Sequence, residues 1–360
     1  MTHNPHRRII ASAVITAISA ALLAGCGSTS SSSGGSEAST AASFTFMVGP
    51  GATSPLLQLE EQAKAAGVFS TANWNVSQIA SAASGAELAS ALAGGSADIA
   101  LQVPNAAFGL MAQGQCLQFL TANNAVVSSL ISLPDLPLTH QGEAYPASAL
   151  DLKGKTVGVV SLGGSQESIT NLVLADAGLK PSDVTYVAVG APQQAALALQ
   201  NKQVDILYMT PPADVVLGAG NYQTVVDLAG TPDAPGQGAV QSLYATTCEY
   251  AEAHPDVIQT FCRGAQEIRD WALDPASKEA LMTDMKSALG FTDAQAQETY
   301  DRYMTKIWPA SVAITPEVWA QQQLWYGKEP PPYDTSVNAG CQQSVAAAGS
   351  APTSATGAQG

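Results

Sequence analysis

The chain has 360 residues, with 14 Lys+Arg against 29 Asp+Glu and a formal net charge of −15. A chain so acidic lacks the basic face that nucleic acid demands, which excludes that class of partner. Hydrophobic residues make up 46%, enough to fill the cores of two domains of ordinary size.

The start of the chain is of another kind. His3, His6, Arg7 and Arg8 form a short, partly basic stretch without an acid, Ile9 to Leu23 is mostly apolar, and Ala24-Gly25 are small. That order is the n-region, h-region and cleavage site of a secretory signal, and the apolar run is shorter than the ~20 residues of a membrane-spanning helix. Leu23-Ala24-Gly25-Cys26 resembles the lipobox of bacterial lipoproteins, in which the thiol is acylated and becomes the first mature residue. The resemblance implies a signal peptide over 1–25, lipidation at Cys26, and a place on the extracytoplasmic side of the cell membrane, held by a palmitate-like anchor alone. An ordinary secretory signal or an uncleaved anchor is the alternative. Gly27 to Ser43 has no large side chain and one acid, so it reads as a flexible tether that cannot offset its ordering entropy. Without Arg7 and Arg8 the mature balance is 12 Lys+Arg against 29 acids, or −17. Anionic headgroups repel such a chain, so acyl groups must hold it.

Ser43 to Val48 alternates and ends at Gly49-Pro50-Gly51, which predicts a strand and a loop. Ser54 and Pro55 open a helix to Phe69. A strand over Asn75 to Ile79, a helix over Gly85 to Ala93 and a strand over Ala97 to Leu101 follow. The pattern restarts after the Asp151–Lys155 turn: a strand over Thr156 to Val160, the Ser161-Leu162-Gly163-Gly164-Ser165 bend, and a helix from Gln166 to Ala177. A strand over Val184 to Val189, a helix over Pro192 to Gln200 and a strand over Val204 to Tyr208 complete it. Two units of parallel α/β logic result. After Leu243 to Thr246 the character changes again. Val257, Ile258, Phe261, Ala265, Ile268 and Trp271 recur at helical spacing, and further helices are predicted over 276–289, 293–306 and 315–326. Gln342 to Gly360 is Ala, Ser, Gly, Thr and Gln, apart from Val345 and Pro352, and reads as a disordered tail. Trp74, Trp271, Trp308 and Trp325 read as packing residues.

With Cys26 acylated, Cys116, Cys248, Cys262 and Cys341 remain, an even number that suggests disulfides in an exported chain. Closeness in sequence favours Cys248 with Cys262, which leaves Cys116 with Cys341; small buried thiols are the alternative. There is no C-x-x-C, and the mature chain holds only His140 and His254, so no metal is expected.

Three stretches, SALDLKGKTVGVVSLGGSQES (148–168), AALALQNKQVDILYMTPPA (195–213) and HPDVIQTFCRGAQEIRDWA (254–272), resemble the solute-binding proteins of ABC importers in the nitrate/sulfonate/taurine and thiamine-pyrimidine-like group. GAELASALAGGSADIAL (85–101) looks like the matching helix–strand pair of the first unit. The resemblance implies an α/β, two-lobed periplasmic-binding-protein-like fold of type II, with ligand in the cleft. It implies a first lobe over 44–135 plus 236–341, a second over 136–235, no cofactor, and delivery to ABC permease and ATPase subunits by a monomer. Parallel α/β sheets bind beyond the carboxyl ends of their strands, which points independently to the loops Gly49–Ser54, Ser84–Ala86, Gln102–Asn105, Ser161–Ser168 and Met209–Pro212. Candidate ligand-binding residues there are Ser54, Ser84, Gln102, Asn105, Ser165, Gln166 and Thr210, although a serine before a helix is also an ordinary N-cap.

An enzyme is not expected. Gly163-Gly164-Ser165-Gln166-Glu167 lacks the second glycine of a hydrolase elbow, no Walker A loop occurs, and the cysteine-rich motif of thiamine-pyrimidine synthases is absent. None of the five loops carries Arg or Lys, so the bidentate clamp of an amino-acid binder has no candidate. Two ligand classes remain: a compact oxyanion such as a sulfonate, held by amides and serines at helix N-termini, or a neutral flat heterocycle such as a pyrimidine. Glu167 opposes the first if it faces the cleft. A sensor or binding module without a transporter is the further alternative.

Overall fold

The computed structural model describes residues 43–49, 74–236 and 239–349. Cys26, Ser54 and the expected helix from Pro55 lie outside them. The described chain opens with β1 (Phe44–Val48), β2 (Val76–Ser81), α1 (Gly85–Ala93), β3 (Ile99–Gln102), α2 (Pro104–Met111) and β4 (Leu117–Ala125). Next come β5 (Ser129–Ser132), β6 (Thr156–Val159), α3 (Ser165–Asp176), β7 (Thr185–Ala188), α4 (Pro192–Gln200), β8 (Ile206–Met209), α5 (Ala213–Leu217) and β9 (Gln223–Asp227). The chain then returns through β10 (Val240–Thr247) to α6 (Cys248–Ala253), α7 (Pro255–Leu273), α8 (Lys278–Leu289) and α9 (Asp293–Thr299). It ends with α10 (Pro316–Ala320), α11 (Gln323–Tyr326), α12 (Tyr333–Ser336) and α13 (Ala339–Gly349).

The strands form two sheets of equivalent plan, β2-β1-β3-β10-β4 and β7-β6-β8-β5-β9. In each, three parallel strands are extended by an antiparallel one, β10 against β3 or β5 against β8. The parallel half is the part that the alternation of short strands and helices predicts. The antiparallel strands β5 and β10 follow the two crossings between lobes, one at 126–128 and one after β9, so both sheets are mixed. Ser129–Ser132, inside the 44–135 span expected for the first lobe, adds to the second sheet between β8 and β9.

Apolar spacing along α7 explains how the first lobe closes. Val257, Ile258, Phe261, Ala265 and Ile268 are buried on one face, where Trp74 stacks on Phe261 at 4.8 Å and Phe44 meets Phe261 edge-on at 6.0 Å. The tail differs from expectation: residues to Gly349 are helical, and Cys341 and Val345 of α13 are buried in the same core.

The four described cysteines are all paired, but in another order: Cys116–Cys248 and Cys262–Cys341 replace the Cys248–Cys262 and Cys116–Cys341 links expected from sequence distance. The register explains the first bridge. Thr247 at the end of β10 sits opposite Leu117 at the start of β4, so Cys248 and Cys116 are neighbours, and Cys248 N donates to Cys116 O at 3.1 Å. Cys262 lies on the buried face of α7, turned toward α13.

Asp284 on α8 is only 7% exposed, and burial pushes its carboxyl up to about 6 from the ordinary 3.8. The folded state therefore binds the proton more tightly than the unfolded chain. Stability falls as pH rises from about 4 to 6, and the deficit is complete above that range. Asp284→Asn is expected to stabilise by about 1–3 kcal/mol at pH 7 and by nothing at pH 3.5. Urea titrations at both pH values measure this, and equal gains at the two would exclude charge burial as the cause.

Candidate functional site

The carboxyl ends of β1, β3, β6 and β8 face a cavity of about 110 Å³ between the two sheets. All five loops predicted from the sequence reach it, through Gly49, Gly85, Val103, the Ser161–Gln166 bend, and Thr210 with Pro211. Gly85 permits a close approach, since a Cβ there would meet Val103 Cγ2 at 2.2 Å. Gly163, at φ +71°, lets the bend turn sharply into α3.

Gly164, not Ser165, is the N-cap of α3. Ser165 stands at the first helical position, 7% exposed, and its Oγ accepts from Gln241 Nε2 at 3.1 Å. Gln166 closes the bend from within: its Oε1 accepts from Val160 N at 2.6 Å and its Nε2 donates to Thr210 Oγ1 at 2.7 Å. Ser165, Gln166 and Thr210 thus come together on one wall. Glu167 turns back, accepting from Gly163 N at 2.8 Å, and does not line the cavity.

Ser84, Gln102 and Asn105 do not line the cavity either. Ser84 Oγ caps α1 by accepting from Glu87 N at 3.2 Å. Gln102 is fully buried behind the wall, its Nε2 donating to Leu88 O at 3.3 Å. Asn105 reaches across the cleft mouth, where its Nδ2 donates to Gly163 O and so ties the start of α2 to the opposite bend.

The opposite wall comes from residues that sequence reasoning missed: Asn124, Ser128, Gln241 and Ser242. Asn124, Gln241 and Ser242, with Asn123, form a chain of hydrogen bonds. Asn124 Nδ2 donates to Gln241 Oε1 at 3.1 Å, Ser242 Oγ donates to Asn124 Oδ1 at 2.5 Å, and Asn123 Nδ2 donates to Ser242 Oγ at 3.1 Å. Through Gln241 the chain ends on Ser165 of the other lobe. The available signal was the polar Asn123-Asn124 pair near the end of β4, with Gln241-Ser242 opposite it on β10.

No charged side chain lines the cavity among the described residues, and no group of three His, Cys, Asp or Glu there is placed to hold a metal ion. His140 and His254, the histidines of the described chain, also lie off the lining, so no general base faces Ser165. The wall offers hydroxyls, carboxamides and the free amides at the start of α3, which is equipment for holding a ligand.

The family model described as NMT1/THI5 like matches residues 62–277. The chain belongs to the NMT1/THI5-like family. Solved structures share its fold at low identity. A protein of Bordetella bronchiseptica RB50 is 22% identical over 84% of this chain and 96% of that one, with a TM-score of 0.67. The periplasmic aliphatic sulphonate-binding protein SsuA of Escherichia coli is 20% identical over 79% and 90%, with a TM-score of 0.59. The periplasmic nitrate-binding protein NrtA of Synechocystis PCC 6803 is 12% identical over 87% and 90%, with a TM-score of 0.63. No curated protein sequence matches the chain. The fold is that of the periplasmic binding proteins, and within the described residues no helix is long and apolar enough to cross a membrane.

Proposed function

We propose that this chain is the solute-binding component of an ABC importer: a non-enzymatic protein that captures a small molecule outside the cytoplasmic membrane and presents it to a permease. Its family and the sulfonate- and nitrate-binding proteins of the same fold support that reading. The ligand is a compact oxyanion of the sulfonate or nitrate kind. Ser165, Gln166 and Thr210 hold it from the second lobe, and Asn124, Gln241 and Ser242 from the first. The observation that carries this is the convergence of those six neutral donors and the start of α3 on one small cavity. A volume of about 110 Å³ is below the roughly 150 Å³ cavity that takes benzene, so a few heavy atoms fill it and an oligosaccharide or peptide does not.

The second reading, a neutral heterocycle such as a pyrimidine, is favoured by the uncharged lining. A thermal-shift series with methanesulfonate, taurine, nitrate and cytosine separates the two, because a ligand selective for the folded state raises the melting temperature in proportion to ln(1 + [L]/Kd). Methanesulfonate or nitrate is expected to stabilise the protein, and Ser165→Ala to remove most of that shift. Stabilisation by sugars or free amino acids alone would rule the cleft assignment out.

Tethering through Cys26 completes the reading: the lipid keeps the acidic lobes beside the permease. Labelling with a palmitate analogue is expected to mark the wild type and not Cys26→Ala. Label persisting in the variant would remove the anchor.

A further inference from the structure

Behind the cavity wall lies a polar cluster that ligand contact leaves unexplained. Asp214 on α5 is 0% exposed. Its Oδ2 accepts from the Tyr303 hydroxyl and lies 2.7 Å from Arg302 Nη1. Arg302 Nη2 donates to Tyr222 OH at 3.1 Å, and Nη1 lies 3.0 Å from Glu298 Oε1. Asp214 and Tyr222 flank strands of the second sheet. Arg302 and Tyr303 sit on a π-helical turn, Tyr300–Met304, whose first and last residues pack in the first lobe's core. The ion pair therefore spans the two lobes, beside the crossing residue Val127. Val127, Val215 and Ile307 pack with Tyr303, while the Arg302 side chain is 38% exposed and Asp214 is fully buried; at such a site a well-packed apolar group is often at least as stabilising as a carboxylate withdrawn from water. Stability alone is a poor reason for it. A single geometry is a better one.

We infer that Asp214, Arg302 and Tyr303 are positioning residues that fix the separation of the two lobes and hence the width of the cleft. The path to each wall is short. On one side Ala213 N donates to Thr210 O at 3.0 Å, so Asp214 follows directly on the Thr210–Pro211 lining. On the other, Ile307 N donates to Tyr303 O at 2.9 Å, and Ala125 N donates to Ile307 O at 2.8 Å. Ile307, Ala125 and the adjacent Asn124 all line the cavity, whereas the three charged or phenolic residues do not. One ion pair thus connects the two facing walls. π-Helical turns recur at functional sites, and this one lets two consecutive side chains reach a single carboxylate oxygen. The inference rests on the cleft reading proposed above.

Tyr303→Phe keeps the ring and loses the hydroxyl, Arg302→Met keeps the length and loses the charge, and Arg302→Lys gives a charge back. Small-angle X-ray scattering of the ligand-free full chain is expected to show a larger radius of gyration for Tyr303→Phe and Arg302→Met than for wild type. Arg302→Lys is expected to return most of the way. With methanesulfonate as the probe, Kd rises about tenfold if the competent arrangement falls to a tenth of its population. Wild-type scattering from both variants alongside a lowered melting temperature would overturn the inference and leave the pair a fold-stabilising contact only. Scattering needs no ligand, so failure of methanesulfonate to bind wild-type protein counts against the proposed ligand and leaves the width measurement to decide the role of the pair.

Discussion

Removing the Cys262–Cys341 bridge with a paired Cys262→Ala, Cys341→Ala substitution is expected to cost about 4–5 kcal/mol and to lower the melting temperature by roughly 10 °C. The bridge closes a span of 79 residues, and closure entropy grows with the logarithm of that length. Its loss is not spread evenly. α13 buries Cys341 and Val345, and Gln342 adds two ties: its Nε2 donates to Leu120 O at 2.8 Å and its Oε1 accepts from Ile314 N at 2.8 Å. Residues 339–349 are therefore expected to exchange amide protons at rates near those of a free helix in the variant, while the sheets stay protected. Hydrogen exchange with mass readout measures this, and uniform loss of protection across the chain would contradict it.

That helix also marks where sequence reasoning ran out. Elements with their own periodicity or punctuation were legible: α1 and α4 fall on the residues predicted from spacing and flanking glycine or proline. α7 is where Val257 to Trp271 repeat at helical intervals. α13 has Ala, Gly and Gln in place of an apolar stripe, and its order depends on a bridge and on the Leu120 carbonyl 222 residues away, which no local window contains. β4 and β5 were missed for a related reason. Leu117–Ala125 carries Asn123 and Asn124 near its end, and such a polar pair reads as a loop until Ser242 and Gln241 are seen across the sheet. The disulfide order failed likewise, because it follows from the β10–β4 register and not from distance along the chain.

The site was legible as loops and not as a network. Helix starts and strand ends could be read from Gly, Ser and Pro, and all five loops reach the cavity. Which polar side chains face inward could not, since the opposing wall belongs to antiparallel strands that pair only after the chain has crossed between lobes twice. Ser84 shows the limit of the hydroxyl argument: its oxygen is spent on the amide of Glu87.

Gln241 separates the two ligand classes, with the largest effect on binding that we expect from one residue. It is 9% exposed, donates to Ser165 Oγ and accepts from Asn124 Nδ2, both at 3.1 Å. Gln241→Leu strips a partner from each of these groups; Asn124 Nδ2 keeps Ala125 O at 3.4 Å, whereas the buried Ser165 hydroxyl loses its donor, at a cost of roughly 1–3 kcal/mol. In the complex the ligand shuts water away from this wall, so the penalty falls there and appears as weaker binding more than as lost stability. A loss of about 2 kcal/mol already corresponds to a roughly 30-fold rise in Kd. Gln241→Glu adds the discriminating test. It keeps the size and one acceptor but places a negative charge in a wall that has none. Against an anion about 4 Å away the repulsion is of order 4 kcal/mol at an effective dielectric constant near 20, a roughly thousandfold loss. A neutral pyrimidine meets no such repulsion and loses only the Gln241 donor. Calorimetric titration of wild type, Gln241→Leu and Gln241→Glu with methanesulfonate and with cytosine therefore has a clear reading. Methanesulfonate binding abolished by glutamate and only weakened by leucine identifies an oxyanion site held by neutral donors. Cytosine binding that tolerates glutamate, with no response to methanesulfonate in the wild type, assigns the cavity to the heterocycle.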